Sequence, residues 1–310
     1  MNAPHHDRVP PGSIALLLVI GLGWGLNWPF IRIAVAEVPP WTFRSICLVG
    51  GGALLMIAAW AQNRDILVPR REFWALAVTT FFNITCYQIL VAFGLAQMEA
   101  GRGSILGFTF PLWTVLFGRA LLGERLTPAR WVALSLGLAA MGLLIIPDIQ
   151  KLGRAPWGAL LITGSAITWS FGTVLFKKFK WSMPPLHMTA WQISLGSVPI
   201  VIGALVFDSW STLPMPSMSA TIATGYSVLI GIFLCQWIWY RTLTRLPAGV
   251  ATIAILSVPV VGVITSAWML GERIGPLDVV ALGLVMASLM LVLVGPGVLV
   301  RLAGRAPRTS

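Results

Sequence analysis

The side chains of this sequence that could do chemistry are amides, indoles and phenols set inside apolar runs. Trp24, Asn27 and Trp28 follow the i, i+3, i+4 spacing that shares one helix face. Asn83 and Tyr87 stand four apart with Gln88 alongside, and Gln236 and Tyr240 repeat that spacing with Trp237 and Trp239 nearby. Ser165, Trp169 and Thr173 make a fourth polar face. An amide in hydrocarbon has to find hydrogen bonds. Each can tie two helices together, worth roughly 0.6 to 2 kcal/mol per bond, or line a polar path. For any one residue the tie is the plainer role. For the set, spread over four runs at related positions, lining a substrate site is the better reading, with Trp24, Asn27, Asn83, Tyr87, Gln88, Trp169, Gln236 and Tyr240 as its residues. Aromatic faces beside amide donors suit a planar apolar side chain carrying a zwitterionic head. Arg102 could hold a carboxylate, although Glu99 three residues earlier is the simpler partner.

Other chemistry is missing. All ten acidic residues fall in loops or at the ends of apolar runs, and His5, His6 and His187 also avoid run centres. A buried ionisable group would mark a proton relay or a cation site, so its lack favours a neutral or zwitterionic substrate moving down its own gradient. There is no HExxH, GxSxG or P-loop pattern. Cys47, Cys86 and Cys235 all lie in apolar runs, at spacings that suit neither zinc nor a disulfide framework. No catalytic residue, metal or cofactor is expected, and an intramembrane enzyme is the weaker alternative.

These residues need an apolar scaffold, and the composition supplies one. Of the 310 residues 57% are hydrophobic and only 10% charged, against roughly 25% charged in a soluble domain. So few charges cannot cover a wetted surface, and the bilayer itself becomes a partner. The net charge of +11 is scattered in short clusters between apolar runs, which orients membrane proteins and does not suggest nucleic acid. Spanning helices need about 20 apolar residues. Ten runs qualify: Ile14–Ile31, Thr42–Trp60, Phe73–Ala96, Gly103–Leu122, Trp131–Ile146, Trp157–Phe176, Leu186–Phe207, Ala220–Tyr240, Ala248–Leu270 and Leu277–Val294. The first could pass for a signal peptide, but its length and its later counterpart make it helix 1.

Alternate connections collect unequal charge. One side holds fifteen Lys and Arg; the other holds six, namely Arg32, Arg44, Arg102, Lys151, Arg154 and Arg273. The positive-inside rule then puts both termini in the cytoplasm, which requires an even number of spans and so agrees with ten.

The chain also repeats itself. Leu16 to Trp24 resembles Leu161 to Trp169, and Pro39-Pro40 matches Pro184-Pro185, at an offset of 145. At 148, Ala100-Gly101 matches Ala248-Gly249, Gln88 matches Gln236, Pro111 matches Pro259, and Gly123-Glu124-Arg125 matches Gly271-Glu272-Arg273. Five spans per half means the second half enters the bilayer upside down, an architecture of transporters that bind substrate between the repeats. The expected fold is all-α and polytopic, two inverted five-helix repeats around a central cavity. Pro111 and Pro259, each mid-span, would bend their helices and serve as hinges.

The motifs Leu121-Leu122-Gly123-Glu124-Arg125-Leu126 and Leu270-Gly271-Glu272-Arg273-Ile274, each after a helix with a central proline, resemble the repeated EamA-type domain of the drug/metabolite transporter superfamily. Pro40-Trp41-Thr42-Phe43-Arg44 resembles the start of that domain's second helix. The resemblance implies two EamA-like repeats, residues 1–150 and 151–310, forming one integrated transmembrane domain that exports small metabolites across a bacterial inner membrane. The abundant tryptophan looks closest to YddG-type aromatic amino-acid exporters. That implies amino acids with aromatic or apolar side chains, with other metabolites or drugs as the alternative.

Overall fold

The computed structural model describes residues 11–62, 66–152, 156–209, 215–243 and 248–293. The described residues are helical and contain no strand. In chain order the helices are α1 (Pro11–Val35), α2 (Pro40–Gln62), α3 (Arg70–Leu95), α4 (Ala100–Leu122), α5 (Pro128–Leu152), α6 (Trp157–Lys178), α7 (Pro185–Phe207), α8 (from Met218 to Leu243), α9 (Ala248–Leu270) and α10 (Pro276–Leu293). Eight are long and apolar enough to cross a membrane, and Ile255–Leu270 and Pro276–Val292 add two shorter apolar stretches. The chain is a polytopic helical membrane protein.

Local chemistry sets the boundaries. Proline opens α1, α2, α5, α7 and α10, where its missing N–H would have lacked a partner anyway. Gly123 and Gly271 follow α4 and α9 with φ of 70° and 67°, alone among the described residues in the left-handed region. A side chain there would strain the backbone, so glycine ends both helices. Among the described residues, two spans contain π-helical segments. Phe81–Cys86 in α3 and Ser227–Leu234 in α8 are π-helical, and the 148-residue offset superimposes one on the other. Wider turns of this kind recur at functional positions.

Packing obeys the same correspondence. α1 packs on α9 and α8, while α6, its equivalent, packs on α4 and α3; α2 pairs with α7, and α5 with α10. Large apolar side chains such as Ile57, Leu205 and Trp268 (82% exposed) point outward, as a lipid-facing surface requires. Cys47 and Cys235 are buried packing residues, and Cys86 is half-buried. Counting charges by connection groups Arg44 with the loop cations. The structure puts it inside α2 with 1% of its surface exposed, a buried ionisable group that run-by-run reading missed.

Candidate functional site

Two helix pairs carry the amides and aromatic residues singled out in the sequence, at repeat-related places. Between α3 and α6, Asn83 sits within the π segment and its Nδ2 donates to the Trp169 carbonyl at 2.9 Å and to Thr173 Oγ1 at 3.1 Å. Thr173 donates to the same carbonyl at 2.8 Å. Tyr87, one turn on, lays its ring against Trp169 with centroids 4.7 Å apart. Gln88 is buried beside them. Asn83, Tyr87 and Trp169 therefore form one contact group, an amide beside an aromatic pair.

Between α1 and α8, Trp24 Nε1 donates to the Gly231 carbonyl at 3.0 Å, and Ser227 Oγ donates to Asn27 Oδ1 at 2.9 Å. Trp24 also meets Trp239 at 5.8 Å. Phe30 stacks on Tyr226 at 4.1 Å, and the Tyr226 hydroxyl donates to the Gly23 carbonyl. The sequence reading missed Phe30 and Tyr226; their only signal is that each lies in a polar-bearing run. Gln236 is half-buried on α8, and the Tyr240 side chain lies outside the described ones.

The two pairs exchange roles. A Cβ on Gly172 would stand 2.5 Å from Asn83 Oδ1, and one on Gly231 would stand 2.9 Å from Asn27. Asn27 corresponds to Gly172 at the 145 offset, and Asn83 to Gly231 at 148. Each interface therefore holds one amide packed on one glycine, with the amide on opposite partners.

α4 and α9, which carry Pro111 and Pro259, lie beside these pairs. α4 is broken into Ala100–Gly107 and Phe110–Leu122, with Pro111 in the first turn of the second piece. Pro259 lies inside an uninterrupted α9, and its carbonyl accepts a 3.4 Å contact from Ser104 Oγ. Trp28, 5% exposed, wedges against Gly103 and Gly107 of α4 and reaches Gly262 of α9.

Both ends are tied by carboxylates. Glu37, between α1 and α2, accepts from the Ser217 N–H and hydroxyl at the start of α8, each at 2.7 Å. At the other end Glu72, at the start of α3, accepts from the Ser182 N–H and hydroxyl. Ser182 and Ser217 stand 145 residues after Glu37 and Glu72, so donor and acceptor are again exchanged. The Ser217 hydrogen bonds, backbone first, hold the Glu37 carboxyl below its ordinary value. Glu272 crosses to the first half, its two oxygens accepting from the N–H groups of Ala100 (2.7 Å) and Gly101 (2.9 Å). These are the orphan donors of the first turn of α4. Arg102 pairs with Asp278 at 2.8 Å and with Glu99 at 3.5 Å, so neighbouring carboxylates already engage its charge. Glu124, the counterpart of Glu272, pairs with Arg130 of its own half at 3.1 Å.

The sequence pattern of the EamA-like transporter family matches residues 12–146 and again residues 156–294. The chain belongs to the EamA-like transporter family. It is 30% identical over 292 residues to the uncharacterized transporter YvbV of Bacillus subtilis, covering 92% of this chain and 93% of that one. The uncharacterized inner membrane transporter YedA of Escherichia coli K12 is 26% identical, over 92% of this chain and 90% of YedA. A probable amino-acid metabolite efflux pump of the same strain is 24% identical, over 90% and 93%. A protein of known crystal structure shares the fold, with a TM-score of 0.66 and 19% identity, over 94% of this chain and 99% of that one. This EamA-family protein is thus a multi-pass membrane transporter and not an enzyme.

Proposed function

We propose that this EamA-family transporter exports small neutral or zwitterionic metabolites, amino acids with aromatic or apolar side chains, by alternating access. The observation that carries this reading is the Asn83, Tyr87 and Trp169 group, where a π segment sets an amide beside two rings in tilted contact. An aromatic wall with a few placed polar groups is the usual chemistry of a site for planar apolar ligands. A relative that is a probable amino-acid metabolite efflux pump supports the same substrate class.

The rest of the reading follows from the repeat. Residues 1–150 and 151–310 act as inverted halves, with Trp24, Asn27, Asn83, Tyr87, Gln88, Trp169, Gln236 and Tyr240 at their interface. Pro111 and Pro259 bend as hinges. The basic excess puts both termini in the cytoplasm of the inner membrane, leaving the Glu272 end periplasmic. Loss of the Glu272 tie would free α4 from the α9–α10 loop and open that end.

Purified protein in proteoliposomes, preloaded with unlabelled amino acid, should take up labelled phenylalanine, tryptophan or leucine by exchange. Trp169→Ala should cut that exchange severalfold at an unchanged yield of folded protein. Exchange of none of these amino acids, with flux of another solute class, would overturn the substrate reading.

A further inference from the structure

Arg44 is the anomaly of the molecule. It lies one turn inside α2, which begins at Pro40, and is the largest fully buried side chain of the described core. Its Nε donates to the Gln88 carbonyl at 3.0 Å, but Nη1 has no hydrogen-bond partner. No carboxylate among the described residues pairs with it. Its guanidinium stands 5.1 Å from the centroid of the Phe43 ring, with Cys47 and Tyr87 for further company. A buried cation without an anion costs several kcal/mol, and in a membrane span such a charge marks function by default.

A purely structural role does not explain the choice of arginine. Tying α2 to one carbonyl of α3 takes a neutral donor. The repeat supplies a comparison: the position 145 residues on is Thr189, whose hydroxyl turns back to the Pro185 carbonyl of its own helix. The α2–α7 pair therefore accepts a self-satisfied threonine at this register, and the cation is particular to one half. It is also placed beside the candidate site, because its neighbour Tyr87 is the residue whose ring meets Trp169, tilted, at 4.7 Å between centroids.

We infer that Arg44 is the carboxylate-binding residue of the transported molecule, so that the substrates are amphiphilic carboxylates whose apolar part lies along Tyr87 and Trp169. This rests on the transport site proposed above and names the feature that site recognises. A carboxylate would supply both the missing hydrogen-bond partner at Nη1 and the missing counter-charge. A ligand of the same shape without the carboxylate leaves the cation uncompensated, which is discrimination by an unpaired buried group. Around Arg44 the present conformation is closed, and the Glu272 tie holds the end of the molecule nearest to it.

Three solutes of one shape test the inference in proteoliposomes: phenylalanine, phenethylamine without the carboxylate, and 3-phenylpropionate without the amine. The unmodified transporter should move phenylalanine, or gain melting temperature from it, and ignore phenethylamine. In Arg44→Gln the phenylalanine response should fall at least about tenfold, as expected for losing a hydrogen bond between charged groups, with Arg44→Lys recovering part of it. Equal handling of phenylalanine and phenethylamine by the unmodified protein overturns the inference, whether or not the variant folds. So does a folded Arg44→Gln with unchanged KM and selectivity, which would make the arginine structural. Response to none of the three also overturns it. If only 3-phenylpropionate responds, and Arg44→Gln abolishes that response, the carboxylate role stands and the amino-acid reading falls.

Discussion

The two ends of the molecule are built from the same motifs and joined differently. Each has a glutamate–serine clamp, Glu37 with Ser217 at one and Glu72 with Ser182 at the other. Each also has a Gly-Glu-Arg turn, but Glu272 reaches across to the start of α4, whereas Glu124 pairs with Arg130 beside it. Contacts present at both ends at once cannot distinguish an open end from a closed one. A contact made across the halves at one end only can. On the alternating-access reading proposed above, the clamps belong to the frame, and the Gly-Glu turns to the part that changes.

The largest effect expected from this division is at Glu272. Glu272→Gln removes the charge that two N–H groups share, each bond worth about 1.5–3 kcal/mol, and should raise access to the α4–α9 contact by about tenfold or more. The check is labelling of Ser104→Cys by an impermeant reagent in a background without Cys47, Cys86 and Cys235. The same change at Glu124 should alter labelling little; equal effects would erase the contrast. Next in size are the prolines. Pro111→Ala restores a donor where α4 is already broken, and should slow exchange severalfold by letting the helix close. Pro259→Ala, in a continuous helix, should do less. Equal flux in both variants would remove the hinge from α4. Glu72→Gln should then lower thermal stability by about 1–3 kcal/mol without changing labelling at Ser104→Cys, since a frame contact fails without opening a route.

The smallest effect is one of pH. The folded Glu37 carboxyl lies below its ordinary value, so the deprotonated form is the one the fold favours. Its stabilisation is present above the unfolded value of about 4.3 and is lost as pH falls through the lower folded value. Acid melting of Glu37→Gln should accordingly converge with that of the unmodified protein at low pH. Curves that stay parallel there would mean Ser217 does not stabilise the charged form.

How much of this the sequence discloses depends on the range of the interaction. Ten apolar runs bounded by proline are local signals, and the helices follow them within a few residues, with α5 running on to Leu152. Asn83, Tyr87 and Trp169 were legible as polar residues at helical spacing, but their meeting joins residues more than eighty positions apart. The Gly271-Glu272 and Ala100-Gly101 motifs were both visible as repeats, although nothing in either shows that one caps the other. The π segments leave no compositional trace in Phe81–Cys86 or Ser227–Leu234. Arg44 was misplaced for a physical reason: counting charges by connection treats any cation near a run's end as wet, whereas here one helical turn carries it into the packed interior.

The exchanged amide and glycine also bear on how the two halves came to depend on each other. Two copies of the first half, assembled in the same way, would set Asn27 against Asn83 at both interfaces and Glu37 against Glu72 at both clamps. Each amide would then occupy space that its partner now leaves as glycine, and like charges would face each other where one carboxylate now meets a serine. Two copies of the second half would oppose Gly172 to Gly231 and Ser182 to Ser217, leaving a hole at each interface and no acceptor charge at either clamp. Neither half is complementary to itself at these four contacts, and either one expressed alone is expected not to assemble into a working dimer. Co-expressed as separate chains, the two should find each other in preference to themselves.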